Sequence, residues 1–442
     1  MMVVMKLVTV TLLSYWFCTA ALANTSFDPA ETPEAHFKEL RQIILQLEDQ
    51  APISIEEKKR IDIARANTLL AKSAEGSKVN LNLQGQSVYE DRPNQSYYGR
   101  EHFFGSLTVR QPLFHWGALK AQSKIALLQQ STVKNNFTHL LSELKSKARD
   151  SYLDLIVLNN QVELGKANLN SSKENFKKVE KRNKHGLSSD LIVRDANIQL
   201  LQQKIILEDL NRSLITARNK FAQLTGWSDP LKFQEVNNSF MSLQLDHDFG
   251  KSIPLLISGH SSKSAKQIEV RINAEEQNLV IAQSGLRPKV NLVGAFFQDQ
   301  VPLANNENSF VRNNYLVGLE VNWALWDSSK SKAEKLKALA SKRRLELNLE
   351  RESRSFRLEL ENMRDQLKSI AKQVNMAREL VILAEKKLSI SKIEMESNRI
   401  TISQFMDAQI SLDQSKINRL QSICQYIKIR NRYQTFIISD YE

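Results

Sequence analysis

The sequence has 442 residues, of which 42% are hydrophobic and 25% charged, with only 13 glycines and 9 prolines. Typical proteins contain about 7% glycine and about 5% proline, so this composition indicates long uninterrupted helices. It disfavours most enzymes, because enzyme sites are usually built on loops. Lys and Arg (61) exceed Asp and Glu (49) by 12, but basic and acidic residues are interleaved along the chain. That pattern does not favour nucleic acid as a partner.

Residues 1–23 have the pattern of a secretory signal peptide. Lys6 precedes an apolar run over 7–17, and a small-x-small cleavage site at 21–23 comes before Asn24. The run is too short for a membrane anchor, which needs ~20 apolar residues. After cleavage one cysteine remains, Cys424, so we predict neither a disulfide nor a cysteine metal site within the chain.

The rest of the chain is internally duplicated. The motif Lys-Val-Asn-Leu at 78–81 recurs at 289–292, and the match continues downstream with an offset of 212. We therefore predict two tandem structural repeats, 24–226 and 261–442, joined by a linker over 227–260.

Each repeat is predicted to contain a helix, a strand pair and a long helical hairpin. The first repeat has an N-terminal helix, strands at about 79–113, and a hairpin at about 115–225 that turns at 185–189. The second has a helix, strands at about 289–325, and a hairpin at about 328–438 that turns at 397–401. Apolar residues recur at alternating steps of four and three along both hairpins, which indicates coiled coils. In the last helix the apolar stripe shifts to Ile417, Leu420 and Ile423.

The strand pairs alternate apolar and polar residues over runs of ~10, with aromatic residues near their ends, as in a transmembrane β-barrel. A half-buried sheet of a soluble domain is the alternative. Four strands cannot close a barrel, so a barrel would have to be shared between chains. Two chains would supply eight strands and three would supply twelve, and only the wider barrel would leave an open channel.

Several short motifs, in their order and spacing, resemble the TolC-like outer membrane efflux proteins over nearly the whole mature chain. They are Gln-Pro-Leu-Phe at 111–114, Trp-Gly at 116–117, the segment 182–196 and Leu-Thr-Gly at 224–226. The resemblance implies an α+β membrane protein: a homotrimer with a 12-stranded transmembrane β-barrel continued by a 12-helix coiled-coil α-barrel. The segment 227–260 would form an equatorial belt.

The same resemblance implies a function. The chain would be the outer membrane exit duct of a tripartite efflux pump or a type I secretion system, extending into the periplasm of a Gram-negative bacterium. It would passively conduct small molecules or polypeptide outward, with a periplasmic adaptor (membrane fusion) protein, an inner-membrane transporter and outer membrane lipid as partners. No cofactor, metal, catalytic residue or nucleic acid is predicted, since no catalytic or metal-binding motif occurs. A periplasmic adaptor and a structural coiled-coil envelope protein are the alternatives.

The two hairpin turns carry the candidate contacts with the adaptor. Glycine at 186 can adopt the positive φ that ends a helix, the serines after it can cap the next helix, and asparagine at the equivalent position 398 also tolerates positive φ. Ordinary tight turns are the alternative interpretation. The resemblance makes six residues candidates for adaptor docking: Arg182, Gly186, Leu187, Ser188, Asn398 and Thr401.

Four further residues are candidates for a narrow periplasmic aperture. The family tends to have two acidic residues three apart after the second turn, but here the pair is Gln404 and Asp407. Arg399 adjoins the position of a gating arginine in some members, and Asp195 is the equivalent of Asp407 in the first repeat. Carboxylates repeated by symmetry around a pore would influence ion passage. Ordinary solvated helix charges are the alternative.

Overall fold

The computed structural model describes residues 32–90, 98–227, 263–302, 309–397 and 399–438. The predicted signal peptide, the predicted belt from residue 228 onward and Asn398 lie outside these residues. The elements in chain order are α1 (Pro33–His36), α2 (Lys38–Gln50), α3 (Pro52–Ser73), β1 (Lys78–Glu90), β2 (Tyr98–Phe114), α4 (Ala118–Lys184), α5 (Asp190–Thr225), α6 (Lys263–Gln283), β3 (Lys289–Pro302), β4 (Ser309–Asn322), α7 (Lys330–Glu396) and α8 (Ile402–Ile438).

The chain divides into two compact units, each built from separate stretches of sequence. The helical unit comprises Met1–Pro52, Ser142–Ser252 and Met363–Phe436, and the sheet unit comprises Ile53–Leu141, Ile253–Asn362 and Ile437–Glu442. Each unit takes segments from both predicted repeats, so the compact units do not coincide with the repeats. The boundaries of the repeats stay a prediction.

The sheet unit contains one antiparallel sheet in the order β1-β2-β3-β4. Leu81 lies opposite Leu107, Leu107 opposite Phe296, and Phe296 opposite Tyr315. Residues directly opposite one another share a face, so apolar residues of all four strands line one face of the sheet. Many of its side chains are exposed in the chain, among them Leu81, Leu83, Phe103, Leu107, Val109, Leu292, Tyr315, Val317, Leu319 and Val321.

The opposite face of the sheet is mainly polar. Arg110 on β2 forms an ion pair of 2.7 Å with Glu320 on β4, reaching across β3. Asp299 on β3 lies 2.8 Å from His102 and 3.7 Å from Arg312. The sheet therefore has two chemically different faces, as the alternation in the sequence predicts.

A left-handed dipeptide connects the sheet to each long helix. The φ angles are 54° at Trp116 and 79° at Gly117, and the equivalent residues Ser328 and Ser329 have 51° and 68°. Three of these four residues carry a Cβ, so the conformation costs free energy that the surrounding contacts must offset. The backbone therefore bends in the same way at positions 212 apart, although the residues there differ: Trp-Gly in one place and Ser-Ser in the other.

The coiled-coil seam forms the core of the helical unit. Leu155 in α4 is completely buried, and Leu367 and Ile370 in α7 are only 1% and 3% exposed to solvent. The shifted stripe of α8 is buried as well, at 7% for Ile417, 4% for Leu420 and 3% for Ile423. Among the described residues, no helix combines the length and apolarity needed to cross a lipid bilayer.

The N-terminal helices are anchored in the helical unit by Tyr152. Its ring, fully buried, lies 5.6 Å from the ring of Phe37 and 6.0 Å from that of Phe221. Its hydroxyl donates a 3.0 Å hydrogen bond to Glu39 of α2. Burial, reinforced by the Glu39 carboxylate, raises the pKa of Tyr152 far above its ordinary value, so the phenol stays protonated and remains a donor.

Gly226 ends α5 in close contact with the end of α2. Its φ is 74°, and its N–H donates to the carbonyl of Ala222 at 2.8 Å. A Cβ at this position would lie 2.1 Å from the carbonyl oxygen of Gln50, which is far inside van der Waals contact. Both the dihedral angle and the close approach therefore require glycine.

Candidate functional site

The first hairpin turn, between α4 and α5, is a Schellman motif. Gly186 has a φ of 71°, as predicted for the residue that ends the helix. Its N–H donates to the carbonyl of Asn183 at 2.8 Å, and the N–H of Leu187 donates to the carbonyl of Arg182 at 2.8 Å. These two bonds satisfy carbonyls that the end of a helix otherwise leaves without partners.

The start of α5 differs from the prediction that serines cap it. Ser189 occupies the N-cap position with an extended backbone, but its side chain makes no capping hydrogen bond. The side-chain amide of Asn183 instead crosses the turn, donating to the Ser188 carbonyl at 2.9 Å and to the Asp190 carboxylate at 3.0 Å. Asp190 also places a negative charge at the positive end of the α5 dipole. For Ser189 the capping prediction is therefore wrong, since Asn183 and Asp190 supply the polar contacts of this turn.

The second turn, between α7 and α8, repeats part of this geometry with other side chains. The N–H of Arg399 donates to the Glu394 carbonyl at 2.8 Å, matching the bond from Leu187 to Arg182 at positions 212 apart. Thr401 and Gln404 then form a capping box: the Thr401 N–H donates to Gln404 Oε1 at 2.9 Å, and the Gln404 N–H donates to Thr401 Oγ1 at 3.3 Å. The two turns are thus closed by different chemistry.

The capping box gives Gln404 a structural role beyond the one predicted from the sequence. The Thr-x-x-Gln pattern at 401–404, just before an apolar helix, is a recognised sequence signal for such a box. The Oε1 of Gln404 also accepts the Thr401 hydroxyl at 3.2 Å. Glutamine at this position therefore organises the turn in the described structure.

Asp195 and Asp407 occupy equivalent, exposed positions near the starts of α5 and α8. Each directly precedes a buried alanine, Ala196 at 6% and Ala408 at 1% exposure. Neither carboxylate forms an ion pair within the described part of the chain. Both therefore project from the packed helices, where they are available to ions or to other chains.

Several apolar side chains close in sequence to the predicted docking residues are exposed. Leu187 is 69% exposed, and Leu191 and Ile192, in the first turn of α5, are 68% and 49% exposed. Ile390 and Ile393, near the end of α7, are also exposed. Grouped exposed apolar residues of this kind are typical of protein contact surfaces. The prediction included only Leu187, because the apolar character of the others is also compatible with a buried seam.

A second polar cluster in the helical unit joins α4 to α8. Asp150 pairs with Arg432 at 2.7 Å, and Asp154 pairs with Lys428 at 2.5 Å. Both pairs have the same four-residue spacing, which places each set on one helix face. Burial raises the pKa of Asp150 in spite of the hydrogen bond from Arg432.

A cleft of about 690 Å³ adjoins these pairs. It is lined by four glutamines, Gln366, Gln373, Gln421 and Gln425, together with Lys428, Cys424 and others. Burial raises the pKa of the Cys424 thiol to about 12, so the thiol is not a reactive thiolate at neutral pH. Within the described ranges, no group of three or more His, Cys, Asp or Glu side chains could hold a metal ion.

Comparison with known proteins gives the fold and the family. The model of the family described as outer membrane efflux protein matches residues 56–227 and 260–432, which is more than half of the chain. No curated protein sequence matched.

Solved structures resemble the chain over nearly its whole length. The structure of CusC is 16% identical with a TM-score of 0.73, covering 90% of this chain and 92% of that one. The outer membrane protein VceC of Vibrio cholerae is 15% identical with a TM-score of 0.70, covering 94% and 99%. The MtrE outer membrane channel of Neisseria gonorrhoeae is 14% identical with a TM-score of 0.70, covering 90% and 88%. At these identities the structural likeness establishes the fold. Together with the family match over both predicted repeats, it leads to one conclusion: the chain belongs to the outer membrane efflux protein family.

Proposed function

We propose that this chain forms the outer membrane exit duct of a tripartite efflux pump or a type I secretion system. The observation that carries the proposal is the two-faced sheet. Its apolar face is exposed in the single chain, with Leu83 at 73% and Val317 at 82%, while the opposite face carries ion pairs such as Arg110–Glu320. Lipid on one face and a water-filled lumen on the other would satisfy both faces.

The edges of the sheet support a shared barrel. Within the described residues, β1 and β4 each pair on one side only. Unpaired backbone groups cannot remain in lipid, so these edges must meet strands of other chains. Three copies would supply twelve strands, enough for a closed barrel that leaves a channel. We therefore propose a homotrimer.

The helical unit, in this proposal, extends into the periplasm and meets an adaptor protein at its hairpin turns. The exposed Leu187, Leu191 and Ile192 offer an apolar contact, and Arg182, Gly186, Ser188, Asn398 and Thr401 complete the proposed docking residues. The MtrE structure is described as an open state, and we propose that this chain also opens at its turns when the adaptor and an inner-membrane transporter engage.

The proposed aperture is formed by Asp195 and Asp407 from each chain, with Arg399 beside them. In a trimer, three copies of each carboxylate would give a ring of negative potential that attracts cations. Gln404 would contribute through the capping box, which holds the start of the helix that carries Asp407.

The test is single-channel conductance of the purified protein in planar bilayers. We expect discrete pores that select for cations, and Asp407→Asn should reduce that selectivity. Asp413→Asn, which removes a carboxylate from the same helix outside the proposed aperture, is the matched control and should leave selectivity unchanged. Protein that never enters a bilayer would refute the duct and favour an adaptor or a structural coiled-coil protein. If pores form but their ion selectivity does not change in Asp407→Asn, the proposed duct stands and the proposed aperture is refuted.

A further inference from the structure

One end of the sheet is strongly basic. At this end β1 and β3 begin and β2 and β4 end, so the segments 74–78, 111–124, 284–289 and 322–337 all adjoin the same end of the sheet. We call these four segments the junction band. They contain nine Lys or Arg residues and three Asp or Glu residues, which accounts for half of the net charge of +12.

Tryptophan rings are fixed within the junction band by their polar ends. The indole N–H of Trp116 donates to the Pro288 carbonyl at 2.8 Å, and that of Trp323 donates to the Leu286 carbonyl at 2.9 Å. The rings themselves remain accessible, at 36% and 59% exposure. Rings held in this way present an apolar surface beside a polar backbone, the arrangement that tryptophan adopts at a membrane interface.

One cation of the band lies beside one of these rings, and two others begin strands. The guanidinium of Arg287 lies 4.8 Å from the centre of the Trp116 ring, within range of a cation–π contact. Lys78 and Lys289 begin β1 and β3 at equivalent positions of the two repeats. Among the described residues, none of these three side chains forms an ion pair.

The acidic side chains of the band are mostly engaged elsewhere. The carboxylate of Asp327 accepts the N–H of Ser331 at 2.8 Å and its hydroxyl at 2.5 Å, in the first turn of α7. The carboxylate of Glu75 accepts the hydroxyl of Ser123 on α4. Asp327 and Glu75 therefore hydrogen-bond to residues near the starts of the two long helices. The lysines at the starts of β1 and β3 stay available to bind an anion.

We infer that the junction band binds the headgroups of anionic phospholipids. The inference rests on the proposed function, because it places this end of the sheet at a membrane interface. A phosphodiester headgroup would take charge-assisted hydrogen bonds from Arg287 and the strand-start lysines, while its acyl chains lie against the tryptophans. Each Lys or Arg near an anionic lipid surface favours binding about fivefold. Anionic lipid would thus orient the sheet and hold it at a fixed depth.

The experiment measures lipid preference directly. The full chain is reconstituted into phosphatidylcholine vesicles containing brominated phosphatidylglycerol or brominated phosphatidylcholine, and quenching of tryptophan fluorescence gives the relative binding constant of the two lipids. We expect a preference for phosphatidylglycerol of about fivefold or more at low salt, lost at 1 M NaCl because the charges are screened. The triple variant Lys78→Gln, Arg287→Gln, Lys289→Gln should lower this ratio about fivefold or more.

The matched control changes three exposed lysines of the helical unit, Lys177→Gln, Lys178→Gln and Lys204→Gln, which alters net charge equally and should keep the preference. Carbonate-resistant insertion into pure phosphatidylcholine shows that each variant has folded. If the wild type inserts but shows no preference for phosphatidylglycerol, lipid binding by the junction band is refuted. The same holds if the control variant loses the preference as fully as the triple variant does. Neither result contradicts the proposed exit duct. Failure of the wild type to insert into any vesicle would overturn both proposals. If only the triple variant fails to insert, the wild type alone tests the inference. A preference of the wild type for phosphatidylglycerol that disappears in 1 M NaCl then supports lipid binding by the junction band, and the absence of such a preference refutes it.

Discussion

Adding one charge to the apolar face of the sheet should prevent membrane insertion, whereas the same charge on the polar face should not. Leu83 is the sixth of thirteen residues in β1, so it lies near the middle of the strand. It is 73% exposed in the chain and lies over Gly105 of the neighbouring strand, so an arginine at 83 has room and would not disrupt the sheet. Its neighbour Gln84 projects from the opposite face.

The magnitude follows from the position of the side chain. An arginine on the lipid face near the bilayer midplane costs about 2–4 kcal/mol, and three chains would together bear about 6–12 kcal/mol. Leu83→Arg should therefore lower the folded, inserted fraction severely. Gln84→Arg adds the same side chain to the water-filled side and should insert like the wild type.

The assay is folding from urea into phospholipid vesicles, followed by gel mobility with and without heating. Reversal of the expected order, with Gln84→Arg more harmful than Leu83→Arg, would mean that the polar face meets the lipid. Equal insertion of both variants would refute the assignment of a lipid face and, with it, the shared barrel.

Three further predictions test the helical unit. Gln404→Ala should destabilise the start of α8 by about 1 kcal/mol because the capping box is lost, whereas Gln404→Glu keeps the box. Amide hydrogen exchange at the second turn should therefore be faster in the alanine variant alone. In Gly186→Ala the new Cβ meets no neighbouring atom, so the free energy of unfolding should fall by only about 1–2 kcal/mol, because of the positive φ. In Gly226→Ala the Cβ also clashes with backbone, so the thermal midpoint should fall several times further than in Gly186→Ala. Because burial raises the pKa of Asp150 above 3.8, its ionisation destabilises the fold as pH rises through that raised value. Asp150→Asn should therefore gain thermal stability relative to the wild type between pH 4 and pH 7, and a relative loss over that range would contradict this.

Much of the architecture could be predicted from local patterns. The four-three spacing from 137 to 179 predicts a coiled-coil seam, and Leu155 within it is completely buried. The family resemblance is confirmed by the family match, since the order and spacing of short motifs survive where identity to solved structures falls to 16% or below. The turn at Gly186 was predictable because a positive φ is a local property that favours glycine. The docking residues and the aperture remain proposals.

The sequence by itself determined the duplication, the two periodicities and the family, because each is a relation between residues at fixed spacing along the chain. Only the tertiary structure decided which strands are neighbours, and therefore that Leu107, Phe296 and Tyr315 share one face of the sheet. It also decided that Arg287 lies over Trp116, 171 positions away in sequence. Such contacts depend on how distant segments pack together, and the pattern of one segment contains no information about its partner.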